Sequence, residues 1–225
     1  MPKTDPAREA LLTALEASGV SIPLWDGILI EETVRVAPGA TILPGCILRG
    51  NTTIAAGSVI GPGSVLTDAV IGKNCIVKNT YITESTLEDD VSIGPFSQVR
   101  PGCHIAAGCK IGDFVEVKNS SIGKKTAIAH LTYVGDTDCG SGVNFGCGVA
   151  IANFNGKEKF RTTIGDNAFL GCNTNLVAPV TIGAGAYTAA GATVTRDVPE
   201  DAMLIARAEQ VVKPGLARRF RREKK

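Results

Sequence analysis

A parallel β-helix is the fold this sequence predicts, and three observations carry the prediction. An aliphatic residue returns every sixth position, a small residue follows it four places later, and glycine recurs three places after it. The clearest run is Ile164, Leu170, Leu176, Ile182, Thr188 and Val194, with Ala168, Thr174, Val180, Ala186 and Ala192 in the small slot. The same register runs through Val36, Ile42, Leu48, Ile54, Ile60 and Leu66, and again through Ile93, Val99, Ile105, Ile111 and Val117. Each such hexad makes one short strand and a corner, and about three hexads close a triangular coil of roughly 18 residues. The aliphatic side chain points into the prism and the small one fills the space beside it. Gly39, Gly45, Gly57, Gly63, Gly102 and Gly108 sit where a corner requires φ > 0.

The elements follow in chain order. Residues 1–27 form an N-terminal helix and linker, with the helix over 5–18. Pro6 lies in its first turn, Gly19 past its end, and Leu11, Leu12 and Leu15 on its apolar face. Such a helix is expected to cover the first coil, whose strand edges are otherwise unpaired. Coils then fill residues 28–200. The interval drops from six to five at Leu66–Ile71, Ile82–Leu87, Val117–Ile122 and Val134–Cys139, which reads as tightened corners. The register breaks once, at the polar segment 153–163, which is expected to project as a loop, the usual place for binding residues on a rigid scaffold. Residues 201–225 form a C-terminal arm, and from Lys213 it carries seven Lys or Arg against one Glu. A solvated basic end is the plain reading.

Composition agrees. Twenty-six glycines and 5% aromatic residues suit a narrow stacked coil better than a globular core. A net charge of +1 without a basic face does not favour nucleic acid. No apolar run reaches membrane-spanning length and the start lacks a signal-peptide core, so a cytoplasmic protein is expected. The seven cysteines are mostly packing residues: Cys46, Cys75, Cys103 and Cys109 take small slots and Cys139 an aliphatic one. Cys147 and Cys172 fall two residues after a core position, where side chains point outward. They are the two that invite a functional question.

Register arithmetic gathers a polar set. Arg100 and Lys118 are 18 residues apart, each directly after a core aliphatic, so they stack one coil apart. Two like charges at roughly 4.8 Å repel, which suggests an anion between them. Tyr133 and His130 fall nearby on the next coil, below the loop that holds Lys157, Lys159 and Arg161. The expectation is one edge carrying an anion site beside an imidazole base. The other histidine, His104, reads as solvated surface. With two histidines in all, a three-histidine zinc site is not available to this sequence.

The strings QVRPG (98–102), IGDFVEVKNS (111–120), AHLTYVGD (129–136), GVNFGCG (142–148), NFNGKEKF (153–160), NLVAPVTIG (175–183) and AAGATVTRDV (189–198) resemble one bacterial family. It is the acetyltransferase half of the bifunctional N-acetylglucosamine-1-phosphate uridyltransferase/glucosamine-1-phosphate acetyltransferase, a hexapeptide-repeat acyltransferase. The resemblance covers most of residues 28–210. It implies a left-handed coil, a homotrimer with sites between neighbouring prisms, and acetyl-CoA as co-substrate. By the same resemblance His130 matches the catalytic base, and Arg100, Lys118, Tyr133, Asn144 and Lys159 match positions that hold the sugar phosphate. Asn153 matches the junction of the two substrates. Cys147, Phe154, Cys172, Ala190 and Arg207 match acetyl-CoA contacts. Cys147 stands where alanine is common, Phe154 for tyrosine and Cys172 for serine.

The expected reaction is therefore acetyl transfer from acetyl-CoA to the amine of glucosamine 1-phosphate, with no metal required. The Gly-rich nucleotide loop of the family's uridyltransferase half has no counterpart in this sequence, so that step is expected to fall to a separate uridyltransferase. Two other readings stay open here. One is a hexapeptide acyltransferase for another amino sugar or a hydroxyl; the other is a non-catalytic scaffold or regulatory subunit.

Overall fold

Strands of two to four residues repeat along almost the whole chain, and the computed structural model describes residues 6–221. Among the described residues they wind into three parallel sheets of ten, nine and ten strands. Successive strands enter successive sheets, so each sheet collects every third strand. This is a left-handed parallel β-helix, a triangular prism. Its first face runs from Leu29–Ile30 to Thr193–Val194, its second from Arg35–Val36 to Val180–Ile182, and its third from Thr41–Ile42 to Met203–Leu204.

The hexad explains the core. Every aliphatic of the three runs is buried except Val36, which is half-buried in the open first coils. The small slots are buried too, including Cys46, Cys75, Cys103 and Cys109. Burial pushes those four thiols up, and pushes Cys139 to about 12. Inert packing thiols are the result.

The six corner glycines have φ between 65° and 81°. The same slot elsewhere holds Asn74, Asn167 and Asn173, which tolerate the left-handed region, but also Phe96, Phe114 and Leu131 at φ 58°, 54° and 48°. The coil imposes this conformation even on bulky side chains. Where the interval shortens to five, the left-handed residue moves one place earlier, to Asp68, Glu84, Asn119 and Asp136. One further shortened interval, Val77–Ile82, has Asn79 in that role, so Val65 pairs with Tyr81 only 16 residues on.

Helix α1 spans Pro6–Ala17 and buries Leu12, with Leu11 and Leu15 half-buried. Asp5, the expected start, lies outside the described residues, as do Arg222, Lys224 and Lys225 of the basic end. Arg8 donates from Nε to the Ile28 carbonyl at 2.8 Å and from its other nitrogen to that of Trp25, tying α1 to the first coil. The loop is shorter than the sequence suggests. Thr162 and Thr163 already pair with Thr137 and Asp138, so the excursion is 153–161, leaving between the first and second faces. Phe154 and Lys159 form an antiparallel bridge across it, and Asn155 Oδ1 accepts the Lys157 and Glu158 amides at 2.9 Å each. The loop is a tight hairpin. No helix is long and apolar enough to cross a membrane.

Candidate active site

His130 ends the strand Ala127–His130, at the edge between the third and first faces. Its partner one coil below is Asp113, and Asp113 Oδ1 lies 2.6 Å from His130 Nδ1. The imidazole holds the Asp113 carboxyl below its ordinary range. A carboxylate on Nδ1 fixes ring orientation and tautomer, which leaves Nε2 as the nitrogen for proton transfer. Asp113 was not among the residues singled out from the sequence. Its signal was there: it precedes His130 by one coil length.

The register continues this edge upward. Ile128 pairs with Phe145, Phe145 with Leu170, and Leu170 with Thr188. Two places further on, His130, Cys147, Cys172 and Ala190 therefore occupy one slot on four successive coils. Arg207 closes the series by donating to the Ala190 carbonyl at 3.2 Å. At about 4.8 Å per coil the ladder from His130 to Ala190 spans roughly 15 Å. Cys147 is half-buried, whereas Cys172 and Ala190 are exposed. Gly146 lets the coils close here, because a Cβ on it would lie 2.5 Å from the Cys172 nitrogen. Asn144 stands on the third face in register with Ala127 and Phe169, half-buried.

The opposite edge of the first face carries the charges. Val99 pairs with Val117, which sets Arg100 against Lys118. The expectation of a bare repelling pair is corrected: each cation has a carboxylate. Arg100 Nη1 lies 2.9 Å from Glu116 Oε1, and Lys118 Nζ 3.6 Å from Asp136 Oδ2. Asp136 is only 4% exposed. Burial pushes its carboxyl up, but the Asn119 amide at 2.6 Å, the Asn153 amide and Lys118 together hold it below the ordinary range. Asp136 is the hub that sequence reading missed, one coil beyond Lys118.

The loop brings Lys159 against Lys118. The Lys118 ammonium holds Lys159 below the usual lysine range, while Lys118, bonded to Lys159 and facing Asp136, is held above it. Arg100, Lys118 and Lys159 against Glu116 and Asp136 leave one cation in surplus. Arg161 does not join them. It is bound to Asp138 through both Nε and a terminal nitrogen and donates to the Asn119 carbonyl at 3.2 Å, pinning the loop base. Lys157 is exposed on the loop.

Tyr133 sits between the two edges, in the strand Tyr133–Gly135 rather than at a corner. Gly135 occupies the slot of Arg100 and Lys118, and a Cβ there would fall on the Tyr133 hydroxyl, so glycine makes room for the ring. Asn153 is buried and its Nδ2 lies 3.5 Å from that hydroxyl. The polar set thus spans a whole face, not one edge: base at one margin, cations at the other, Tyr133 between. Phe154, 56% exposed on the loop, stands by the cation edge and away from the ladder. His104 is not bare surface either, since its Nε2 lies 3.0 Å from Glu88 Oε1.

A model of the bacterial transferase hexapeptide (six repeats) matches residues 33–68, 84–119 and 161–196. The chain belongs to the hexapeptide-repeat transferases. Within this hexapeptide family it is 57% identical over 105 residues to the bifunctional protein GlmU of Clostridium acetobutylicum, a match covering 47% of this chain and 23% of that protein. The GlmU proteins of Clostridium kluyveri and Acetivibrio thermocellus are 59% and 58% identical over 103 residues, covering 46% of this chain and 23% and 22% of those proteins. The match thus spans about a quarter of the length of these relatives. Among solved structures, the UDP-N-acetylglucosamine acyltransferase of Francisella novicida is 23% identical with a TM-score of 0.49, covering 80% of this chain and 65% of that one.

Proposed function

We propose that this hexapeptide protein transfers an acetyl group from acetyl-CoA to the amine of glucosamine 1-phosphate, as a homotrimer in the cytoplasm. The observation that carries the reading is the division of one face: an imidazole with a carboxylate on Nδ1 at one margin and a cation-rich pocket at the other. High identity to GlmU proteins over half the chain supports it. The sugar phosphate docks on Arg100, Lys118 and Lys159, with Tyr133, Asn144 and Asn153 around the ring. His130 Nε2 takes a proton as the amine attacks the thioester carbonyl, and the CoA thiol departs as the tetrahedral intermediate collapses. A thioester is already activated, so alignment of the two substrates supplies much of the remaining acceleration. The acyl donor lies along Cys147, Cys172, Ala190 and Arg207, a ladder long enough for an extended chain. One prism does not enclose either substrate, and Phe154 stands at the far margin from that ladder. A neighbouring copy completing the site accounts for both, in a closed cyclic assembly. The uridyl step of the family resembled is not carried into this reading.

The test is a thiol-release assay with acetyl-CoA against glucosamine 1-phosphate, glucosamine and serine, with product mass identified. Turnover with glucosamine 1-phosphate well above the other two is the expected result. Equal rates on all three, or none, would reject the substrate. Light scattering on the same sample checks the trimer: a fully active monomer would reject it.

A further inference from the structure

We propose that Cys147 and Cys172 form a reversible thiol-oxidation site, closed to a disulfide by a two-electron oxidant of the peroxide class, and that closure blocks the acyl-donor ladder. They are the two cysteines that the coil leaves accessible: the other five are buried, while Cys147 is half-buried and Cys172 exposed. The register stacks them. Phe145 pairs with Leu170 before them and Ala150 with Asn175 after them, so equal lengths of chain bring both to the same corner slot. The Gly146 amide donates to the Leu170 carbonyl at 2.7 Å and the Asn173 amide to that of Cys147 at 2.8 Å, clamping the two corners together. Each cysteine precedes a left-handed residue, Gly148 at φ 77° and Asn173 at φ 55°, so both corners turn alike and present their side chains to the same side. Stacked coils are about 4.8 Å apart, inside the roughly 4.4–6.8 Å between Cα atoms that a disulfide bridges.

The chemistry balances. One thiolate attacks a peroxide oxygen, the O–O bond breaks, and a sulfenic acid forms as one water leaves. The second thiol attacks that sulfur, the S–S bond forms, and a second water leaves. Two thiols lose two electrons and two protons; the peroxide is reduced to water. A dithiol reductant reverses the bond by exchange. His130 lies one coil from Cys147 on the same ladder, so a bridge between the next two rungs occupies the path of the thioester. This second half rests on the acetyl-transfer reading; the bridge itself does not.

Full-length reduced protein is treated with hydrogen peroxide, alkylated, and digested with trypsin without reduction. The expected product is peptide 126–157 joined to peptide 162–196, two hydrogens lighter than the sum, with fragmentation placing the link on Cys147. Absence of that product, a link to Cys139, or a link between two chains would overturn the site. Oxidised wild type should lose most of its acetyl-CoA turnover and regain it with dithiothreitol. Cys147→Ala and Cys172→Ala, whatever their own rates, should keep them under peroxide. A bridged protein that turns over as fast as the reduced one would overturn the blocking role. If reduced wild type shows no acetyl transfer, the functional reading falls, while the mass result still decides the disulfide.

Discussion

The two margins of the first face are built from opposite materials. At one, Arg100, Lys118 and Lys159 are held by Glu116, Asp136, Asn119 and Asn153 in a mesh of charged and amide groups. At the other, above His130, the rungs are Cys147, Cys172 and Ala190, with glycine letting coils close beneath them. The same hexad scaffold carries both, so the backbone does not decide the chemistry. A compact anion needs side-chain charge fixed in place. A long flexible donor needs length and an unobstructed path, which small residues and exposed backbone provide.

Breaking the base should have the largest effect. His130→Ala is expected to lower kcat by about 10²–10⁴-fold, the range of general-base catalysis, without unfolding the coil, since the ring is outside the core. Steady-state kinetics alongside a thermal melt checks both halves. Wild-type turnover in that variant would remove His130 from the mechanism. Next comes the cation margin. Arg100→Ala or Lys118→Ala should raise the KM for glucosamine 1-phosphate on the order of tenfold to a hundredfold, as for charge-assisted hydrogen bonds, and disturb acetyl-CoA and unphosphorylated glucosamine far less. Equal damage to both sugars would show that the pair is no phosphate clamp.

The ladder answers to bulk instead. Ala190→Trp should raise the KM for acetyl-CoA by about tenfold, a loss near 1.4 kcal/mol, with the sugar KM unmoved. A rise in the sugar KM alone would mean the margins have been assigned the wrong way round. The smallest effect concerns pH. Lys159 is held below the ordinary lysine value by Lys118, so its charge disappears on the alkaline side earlier than a free lysine's. Sugar-phosphate affinity should therefore fall as pH rises while still below about 10.5, the ordinary lysine value. Lys159→Arg, charged throughout, should flatten that limb of the KM profile. An unchanged limb in the variant would take Lys159 out of the pocket.

The fold was legible because one rule, repeated, specifies it. Ile164 through Val194 could be placed from spacing alone, and so could the left-handed corners at Gly39 and Gly102. Phe96, Phe114 and Leu131 could not, since a bulky residue gives no local hint that the coil will force φ > 0 on it. At the site, stacking of Arg100 on Lys118 followed from an 18-residue offset. The carboxylates escaped because the same offset was not followed from His130 back to Asp113 or from Lys118 on to Asp136. Which edge each residue occupies depends on the 16- and 17-residue coils, and a small change in interval decides the margin. The pairing of Arg161 with Asp138 lay beyond reach, because the loop interrupts the count.

The ladder also works as a ruler. Its rungs come one per coil, so its length changes only in whole steps of about 4.8 Å. A coil added or removed between His130 and Arg207 would move the far anchor while leaving the base and the cation margin in register. Selectivity for donor length in such a prism is therefore graduated, set by counting coils rather than by reshaping a pocket.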